Sequence, residues 1–468
     1  MHGTQVADAW VEVRSPNDGS LIGSVPVPDD GEVEETLAAA AASAPAVAGL
    51  SSAERSELLY EVSERLGAAS EELARTISLE AGKPIRDARA EASRAQYVFR
   101  WAAEEAKRID GEWIALDTEP GLGRRGGLVR HFPVGPLLAI APFNFPLNLV
   151  AHKVAPALAA GNPVVIKPST RTPLSAKALL DIICAEDWPA GALSVLPVDG
   201  ATTAALAADE RIAAISFTGS DRVGWKLKEA NPRKRVTLEL GGNAAAIVEP
   251  GCDLDWAVSR LVFGAFSYAG QVCLSTQRIL VHEEIHDEFV ARFLAGVDAL
   301  VAGDPIAEET DLGPMISEAE AVRVHGWVEE AVDLGARALR RGEREGAFLG
   351  PSVLAEVPET ARCWRDEVFG PVVDIESYAG FEEALTRANA TRYGLQAAVF
   401  TPDVEAALRA HEAIEAGAIV LNDAPFFRAV HMPYGGVGDS GFGREGVGHA
   451  MRELLEPRVL VMPLPAQG

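Results

Sequence analysis

Hydrophobic and polar positions divide the chain into an Ala-rich helical opening and a longer stretch where short apolar runs alternate with amphipathic ones. Residues 31–108 read as long helices. Residues 32–48 are Ala-rich, and Ser51-Ser52-Ala53-Glu54 opens the next helix with the S-x-x-E pattern of a capping box. Helical composition continues over 86–108 until Ile109-Asp110-Gly111 breaks it. Two short extended runs, 112–116 and 127–132, flank a Gly-rich turn and predict a hairpin. From Leu137 the pattern changes. Apolar runs at 137–140, 163–166, 192–196 and 213–217 read as strands, with helical stretches at 147–158 and 175–185. After Gly241-Gly242 the rhythm restarts with a strand at 244–248, a helix at 254–268, a strand at 278–282 and a helix at 285–301. This alternation predicts an α/β fold of two mostly parallel, doubly wound units, with the hairpin as a small third element. Residues 435–443 are too glycine-rich for regular structure, and a short helix (448–455) and an extended run (458–463) follow. A lone terminal strand leaves backbone groups unpaired unless it joins a sheet, its own subunit's or another's.

Composition narrows the function classes. Lys+Arg 42 against Asp+Glu 68 gives a net charge of −26, which repels a polyanion and weighs against a nucleic-acid partner. The uncharged stretch 132–151 has the length of a membrane span. Its four prolines (133, 136, 142 and 146), with Asn144 and Asn148, fit buried strand and turn instead, so no membrane partner is expected. The first residues show no targeting pattern, which predicts a cytoplasmic location. The four cysteines, at 184, 252, 273 and 363, form no CxxC pair, so each thiol is judged alone.

Three residues stand out. Cys273, in Ala269-Gly270-Gln271-Val272-Cys273-Leu274-Ser275-Thr276, has small and polar neighbours that suit a cleft better than a core. Glu239 ends an apolar strand-like run just before a glycine pair, where a carboxylate is costly to bury. Asn144, in Pro142-Phe143-Asn144-Phe145-Pro146, places an amide at the end of a strand. Taken singly, a small core thiol, a sheet-edge glutamate and a turn-forming asparagine would account for them. His282-Glu283-Glu284-Ile285-His286 fits HExxH, a zinc-hydrolase signature. That chemistry needs both imidazoles on one helix face, whereas His282 ends a strand-like run and the helix begins near Ile285. No metal is expected.

Together the motifs PFNFP, VIKPST, FTGSDRVG, LELGGN, GQVCLST, DEVFGPV and MPYGGVGDSGFGREG, in this order from about Asn17 to about Leu460, resemble the NAD(P)-dependent aldehyde dehydrogenase superfamily. The resemblance implies a cofactor-binding domain from 1–108 and 132–240 and a catalytic domain from 241–437. It also implies an oligomerisation element from 109–131 and 438–468 that makes a homodimer or homotetramer. Cys273 then corresponds to the nucleophile, Asn144 with the Cys273 N–H to the oxyanion hole, and Glu239 to the base that hydrolyses a thioester. The cofactor is expected against Ile140, Phe143, Lys167, Ser169, Thr170, Gly219, Ser220, Val223, Leu240, Glu367 and Phe369. In place of a GxGxxG loop, the turn at 217–224 offers a helix N-terminus to pyrophosphate.

The same resemblance predicts oxidation of a small polar or anionic aldehyde to its acid. Phe143, Leu274, Phe427 and Arg428 are the candidate substrate residues, with Ser267, Phe426 and His431 also near by pattern. Arg428 would pair with an anionic end, or else be a solvated loop arginine. Val272, where some phosphate-recognising relatives carry an arginine, disfavours a phosphorylated substrate. A CoA-acylating enzyme is the alternative within the family, and Glu239 speaks against it. The VIKPST motif places Thr170 where strictly NAD-linked relatives commonly carry a glutamate, so the cofactor is NADP or NAD, with NADP favoured.

Overall fold

Two sheets built from consecutive halves of the chain meet end to end in this computed structural model, which describes residues 10–465. The opening residues read for targeting, and the extremities of the outermost domain spans, lie in part outside the described residues. The first sheet holds five parallel strands, Leu137–Ile140, Val164–Lys167, Leu193–Val195, Ala214–Thr218 and Arg235–Glu239. Their spatial order places Leu137–Ile140 in the middle, the next two to one side and the last two to the other. The chain therefore reverses direction between Leu137–Ile140 and Ala214–Thr218. In open α/β sheets, the crevice beyond the carboxyl ends of strands at such a reversal is where ligands bind. The register brings Ile140, Lys167 and Phe217 level, with Thr218 opposite Glu239, so these residues share that rim.

The second sheet has seven strands in the order Arg337–Arg340, Ser352–Ala355, Val372–Tyr378, Thr276–His282, Ala244–Val248, Gln396–Phe400 and Ala418–Leu421. All neighbours are parallel except the first pair. Helices cover its faces, which is why Ala244–Val248 and Gln396–Phe400 are buried throughout rather than alternating. The helical opening forms Asp30–Gly49, Ser52–Ala68, Ser70–Ala81 and Ile85–Glu105. The capping box at Ser51 is present, with Glu54 returning its side chain to the Ser51 N–H. Leu59, Val62, Leu66, Ile77, Val98 and Phe99 of these helices share one core with the buried helix Asn148–Ala159.

The chain end adds three features to the sequence reading. The terminal strand, Leu455–Pro463, joins a sheet of its own subunit. It pairs along its whole length with Arg125–Pro133, which pairs in turn with Glu112–Ala115. The glycine-rich run contains two short strands, Val437–Gly438 against Tyr393–Gly394 and Gly441–Phe442 against the end of Arg235–Glu239. Finally, the helix Val447–Glu453 packs on Asn148–Ala159 and Ile85–Glu105, so much of the segment grouped with the arm lies in the core of the first unit. Among the described residues no single helix is long and apolar enough to cross a membrane.

Candidate active site

The chain crosses from one sheet to the other in only four residues, Leu240 to Asn243, between Arg235–Glu239 and Ala244–Val248. The carboxyl ends of the first sheet thereby face the amino ends of the second, and the cleft lies between them. Two glycines make the crossing narrow. A Cβ on Gly241 would collide with the Glu367 carboxylate, and one on Gly242 with the backbone oxygen of Cys273. Ser440 fastens the crossing from outside. Its carbonyl accepts the Leu240 N–H at 2.9 Å, and its hydroxyl donates to the Gly241 carbonyl at 2.6 Å. The Gly242 N–H donates to Glu367 at 2.9 Å. Burial is the main cause that pushes the Glu367 carboxyl up to about 7.

Cys273 reaches the cleft through a tight turn. The preceding helix stops at Phe266, two residues earlier than the pattern suggested, and Ser267–Gly270 follows. Tyr268 and Ala269 there take φ of 50° and 52°, a conformation costing about 1–3 kcal/mol per non-glycine residue. The surroundings hold them in place: the Tyr268 hydroxyl donates to the Ala81 carbonyl at 2.7 Å, and Gln271 accepts the Ile316 N–H at 2.8 Å. The thiol lies 3.3 Å from the Tyr434 hydroxyl. Burial pushes it up to about 12, so at rest it is protonated.

Asn144 approaches from the first sheet. Its Nδ2 donates one hydrogen to the Gln271 carbonyl at 2.9 Å, next to the Cys273 segment, and carries a second. The loop that carries it is anchored by Glu91, which accepts the N–H groups of Leu147 and Asn148 at 3.0 and 3.1 Å. Glu91 is ion-paired with Lys83, itself buried over the Phe145 ring.

Glu239 is only 3% exposed, and neither carboxyl oxygen has a hydrogen-bond partner among the described residues. Burial first, and the charge of Glu445 second, hold its carboxyl well above the usual range. Nearby, Lys153 Nζ binds Glu445 at 2.8 Å and the Ser216 hydroxyl at 3.0 Å, while Arg428 binds the other Glu445 oxygen at 3.0 Å. Against the opposing effect of burial, Lys153 and Arg428 hold Glu445 down to about 2.

Arg428 is therefore no solvated loop residue: its side chain is buried and already paired. Arg94, on Ile85–Glu105, donates to the Arg428 carbonyl at 3.2 Å, is half-buried, and has no carboxylate partner among the described residues. Leu274 joins Val272, Leu395 and Tyr434 in an apolar cluster at the thiol, with Phe426 packed against it. Phe427 is 53% exposed and takes no part in that cluster. Ser267 donates to Asp87 at 3.1 Å, and His431 stacks on Trp101.

On the other side of the cleft, Phe143 and Phe369 meet edge to face, 5.8 Å between centroids, with Phe369 at φ 50°. Lys167 is half-buried, its ammonium held below the ordinary range by burial, while Thr170 and Arg171 are exposed. Gly219 and Ser220 precede the helix Asp221–Ala230, whose N-terminus has no side-chain cap, and Val223 lies exposed on its first turn. Leu240 packs against that helix so closely that a Cβ on Gly224 would strike it. Ile140 is buried at the end of its strand, and Ser169 accepts the Arg171 N–H at 3.2 Å. An uncapped helix end facing a rim with a lysine and no carboxylate at Thr170 fits a phosphate-bearing dinucleotide.

The HExxH pair does not converge. His282 is the last residue of its strand, edge-on to Tyr378, and His286 the first of the helix His286–Asp298. Sequence reasoning missed Tyr434, Lys153, Glu445, Arg94 and Glu91. Lys153 had left a signal, a charge within the otherwise apolar helical run 147–158, since buried charges need partners. Tyr434 and Glu445 lie within the MPYGGVGDSGFGREG motif, while Arg94 and Glu91 left no signal.

With this geometry in hand, the comparisons with known proteins are specific. The sequence pattern of the Aldehyde dehydrogenase family matches residues 4–460. The 3-sulfolactaldehyde dehydrogenase of Priestia aryabhattai is 43% identical over 412 residues, covering 88% of this chain and 86% of its own. Aldehyde dehydrogenase 21 from Physcomitrella patens, crystallised with the reaction product succinate, superposes with a TM-score of 0.96 at 44% identity. That similarity covers 98% of this chain and 96% of the other. Glyceraldehyde-3-phosphate dehydrogenase GapN from Methanocaldococcus jannaschii, complexed with NADP, gives a TM-score of 0.92 at 37% identity, covering 97% and 99%.

Proposed function

Because this chain belongs to the aldehyde dehydrogenase family and is an NAD(P)-dependent, non-acylating aldehyde dehydrogenase, we propose the roles of its residues from the cleft geometry. One observation carries the reading: a thiol, a carboxamide with a spare N–H and an unpartnered buried carboxyl converge where the two sheets meet. Cys273, once its thiol proton has passed to water, attacks the aldehyde carbon through Sγ. The second Nδ2 hydrogen of Asn144 and the Cys273 N–H stabilise the charge on the aldehyde oxygen. A nicotinamide held in the cleft would supply the hydride acceptor, and Cys273 then holds the acyl group as a thioester. Glu239, once ionised, takes a proton from water, and the water oxygen displaces sulfur. Lys153 and Glu445 give that proton charged neighbours. Lys167, Ser169, Thr170 and the Gly219-Ser220 turn of the unit around the first sheet hold the cofactor, with Glu367 and Phe369 reaching it from the second unit.

The first test separates the two halves of turnover. Glu239→Gln should keep a stoichiometric burst of reduced cofactor in stopped flow, with later turnover slowed by roughly 10²–10⁴-fold. Asn144→Ala should slow the burst itself by about 10²–10³-fold. In the wild type, turnover should rise with pH through an ionisation displaced above the carboxylate range, because Glu239 must lose its proton to act and burial opposes that loss. That limb should be absent in Glu239→Gln.

We propose NADP as a cofactor used at least as well as NAD. A carboxylate at position 170 would repel a ribose phosphate, at about 4 kcal/mol per unit charge pair for ~4 Å and an effective dielectric of ~20. Thr170 removes that repulsion, with Lys167 and Arg171 beside it. Measured kcat/KM should be at least equal with NADP, and Thr170→Glu should lose NADP activity selectively.

The substrate we propose is a short aldehyde with a carboxylate or sulfonate at its far end. Arg428 is already paired to Glu445, so Arg94, half-buried and without a carboxylate partner among the described residues, is the guanidinium that receives the anion. Val272 is buried and apolar, and supplies no cation for a phosphate. Aldehydes with an anionic end should show at least tenfold higher kcat/KM than neutral ones of equal length, and Arg94→Ala should erase the difference.

We also propose a cytoplasmic dimer or tetramer. The four unbonded thiols suit a reducing compartment. In the terminal strand Val459, Leu460 and Val461 are 52%, 57% and 53% exposed beside an open sheet edge, and a partner would cover both. Light scattering should give a multiple of the chain mass, and removal of residues from Pro457 onward should give aggregate in place of active oligomer. A soluble, active monomer would exclude this strand as an interface.

A further inference from the structure

We propose that Tyr434 is a catalytic residue: its hydroxyl donates a hydrogen bond to the Cys273 thiolate, and Arg428 and Glu445 hold the ring where it can do so. The inference rests on Cys273 being the nucleophile. Tyr434 is the hydrogen-bonding partner of the thiol among the described residues, at 3.3 Å; Tyr434 is only 3% exposed, while Cys273 is half-buried. A neutral thiol can donate or accept in this contact. Once the sulfur has lost its proton to water it can only accept, so the bond acquires a full charge and strengthens as the nucleophile forms. The same bond to a resting thiol gains far less, which makes the hydroxyl selective for the reactive state.

The ring has little freedom to move away. The Tyr434 N–H donates to the Glu445 carbonyl at 3.0 Å, and the Glu445 N–H to the Tyr434 carbonyl at 2.6 Å. On the ring face, the Arg428 guanidinium lies 3.7 Å from the centroid, and its position is fixed by the 3.0 Å ion pair with the Glu445 side chain. A cation over the ring draws electron density from it and makes the phenol a better donor. Burial keeps the Tyr434 proton in place, well above the usual phenol range. The other ionisable groups that act on the thiol are Glu367, Arg428 and Glu239. Both carboxylates oppose the thiolate and Arg428 favours it, and Tyr434 is the neutral side-chain donor in contact with sulfur among the described residues. Phenylalanine at 434 would keep the ring packing and the cation contact and remove only the donor.

The test is alkylation of Cys273 by iodoacetamide between pH 7 and 10, followed by peptide mass spectrometry. It compares the full-length wild type, Tyr434→Phe and a protein with fluorotyrosine placed at 434. Tyr434→Phe should lower the Cys273 rate at least tenfold at each pH, and the burst of reduced cofactor by a similar factor, with cofactor affinity unchanged. Fluorotyrosine, a stronger donor, should raise the rate. Rates within threefold of wild type in both proteins would overturn the inference, and so would a higher rate in Tyr434→Phe. Should Tyr434→Phe fail to fold, the fluorotyrosine protein decides alone on the same criterion. Failure of the nucleophile reading is seen separately: wild type fully alkylated at Cys273 would then stay active.

Discussion

The narrow crossing at Leu240 to Asn243 is the constraint on which the rest of the architecture depends. Four residues leave no slack, so the end of Arg235–Glu239 and the start of Ala244–Val248 lie side by side, and the two sheets are held tip to tip. Any side chain at Gly241 or Gly242 would push Glu367 or the backbone of Cys273 away. Bare backbone at these two positions lets a carboxylate from the first sheet and a thiol from the second share one cleft. The carbonyl and hydroxyl of Ser440 fix that backbone from the outside, which is why the glycine-rich tail folds back across the cleft to form short strands.

Around the crossing, the chemistry is set by what is left unpaired. Glu239 is buried without a hydrogen-bond partner among the described residues, and the Cys273 thiol has only a tyrosine hydroxyl. Their neighbours are fully committed: Glu445 to Lys153 and Arg428, Lys83 to Glu91, Glu91 to two backbone N–H groups. Buried ion pairs of this kind contribute little net stability, because desolvation offsets their attraction. They fix positions instead. Glu91 fixes the loop carrying Asn144, and Glu445 fixes both the ring beside the thiol and a charge near Glu239. The reaction has to ionise Glu239 and Cys273, and neither has an ionic partner among the described residues.

Much of this was legible in the sequence, for physical reasons that differ by residue. The strand and helix alternation read correctly because period and length carry it, and the capping box at Ser51 because it is local. Glu239 and Asn144 could be singled out as polar groups beside apolar runs, and Cys273 as a thiol among small and polar neighbours. The fate of Arg428 could not be read: whether a loop arginine is solvated or paired depends on Glu445, seventeen positions away, and on the fold of the glycine run between them. Arg94 was hidden because an arginine in a charged, amphipathic helix has an ordinary surface explanation. The helix before Cys273 ended early at a left-handed turn that no composition rule predicts for Tyr and Ala. The terminal strand was seen as a strand by its apolar run, whereas its grouping with the hairpin more than 300 residues back came from the family resemblance and not from any local pattern.

The central claim is that the acyl group passes through Cys273 and that Glu239 releases it. Intact-protein and peptide mass spectrometry of Glu239→Gln, mixed with NADP and a short aldehyde bearing a carboxylate, tests it most directly. The account predicts one acyl group per chain, carried by the Cys273 peptide and removed by hydroxylamine. An unmodified Cys273 in protein that has reduced its cofactor, or an acyl group on any other residue, would contradict it.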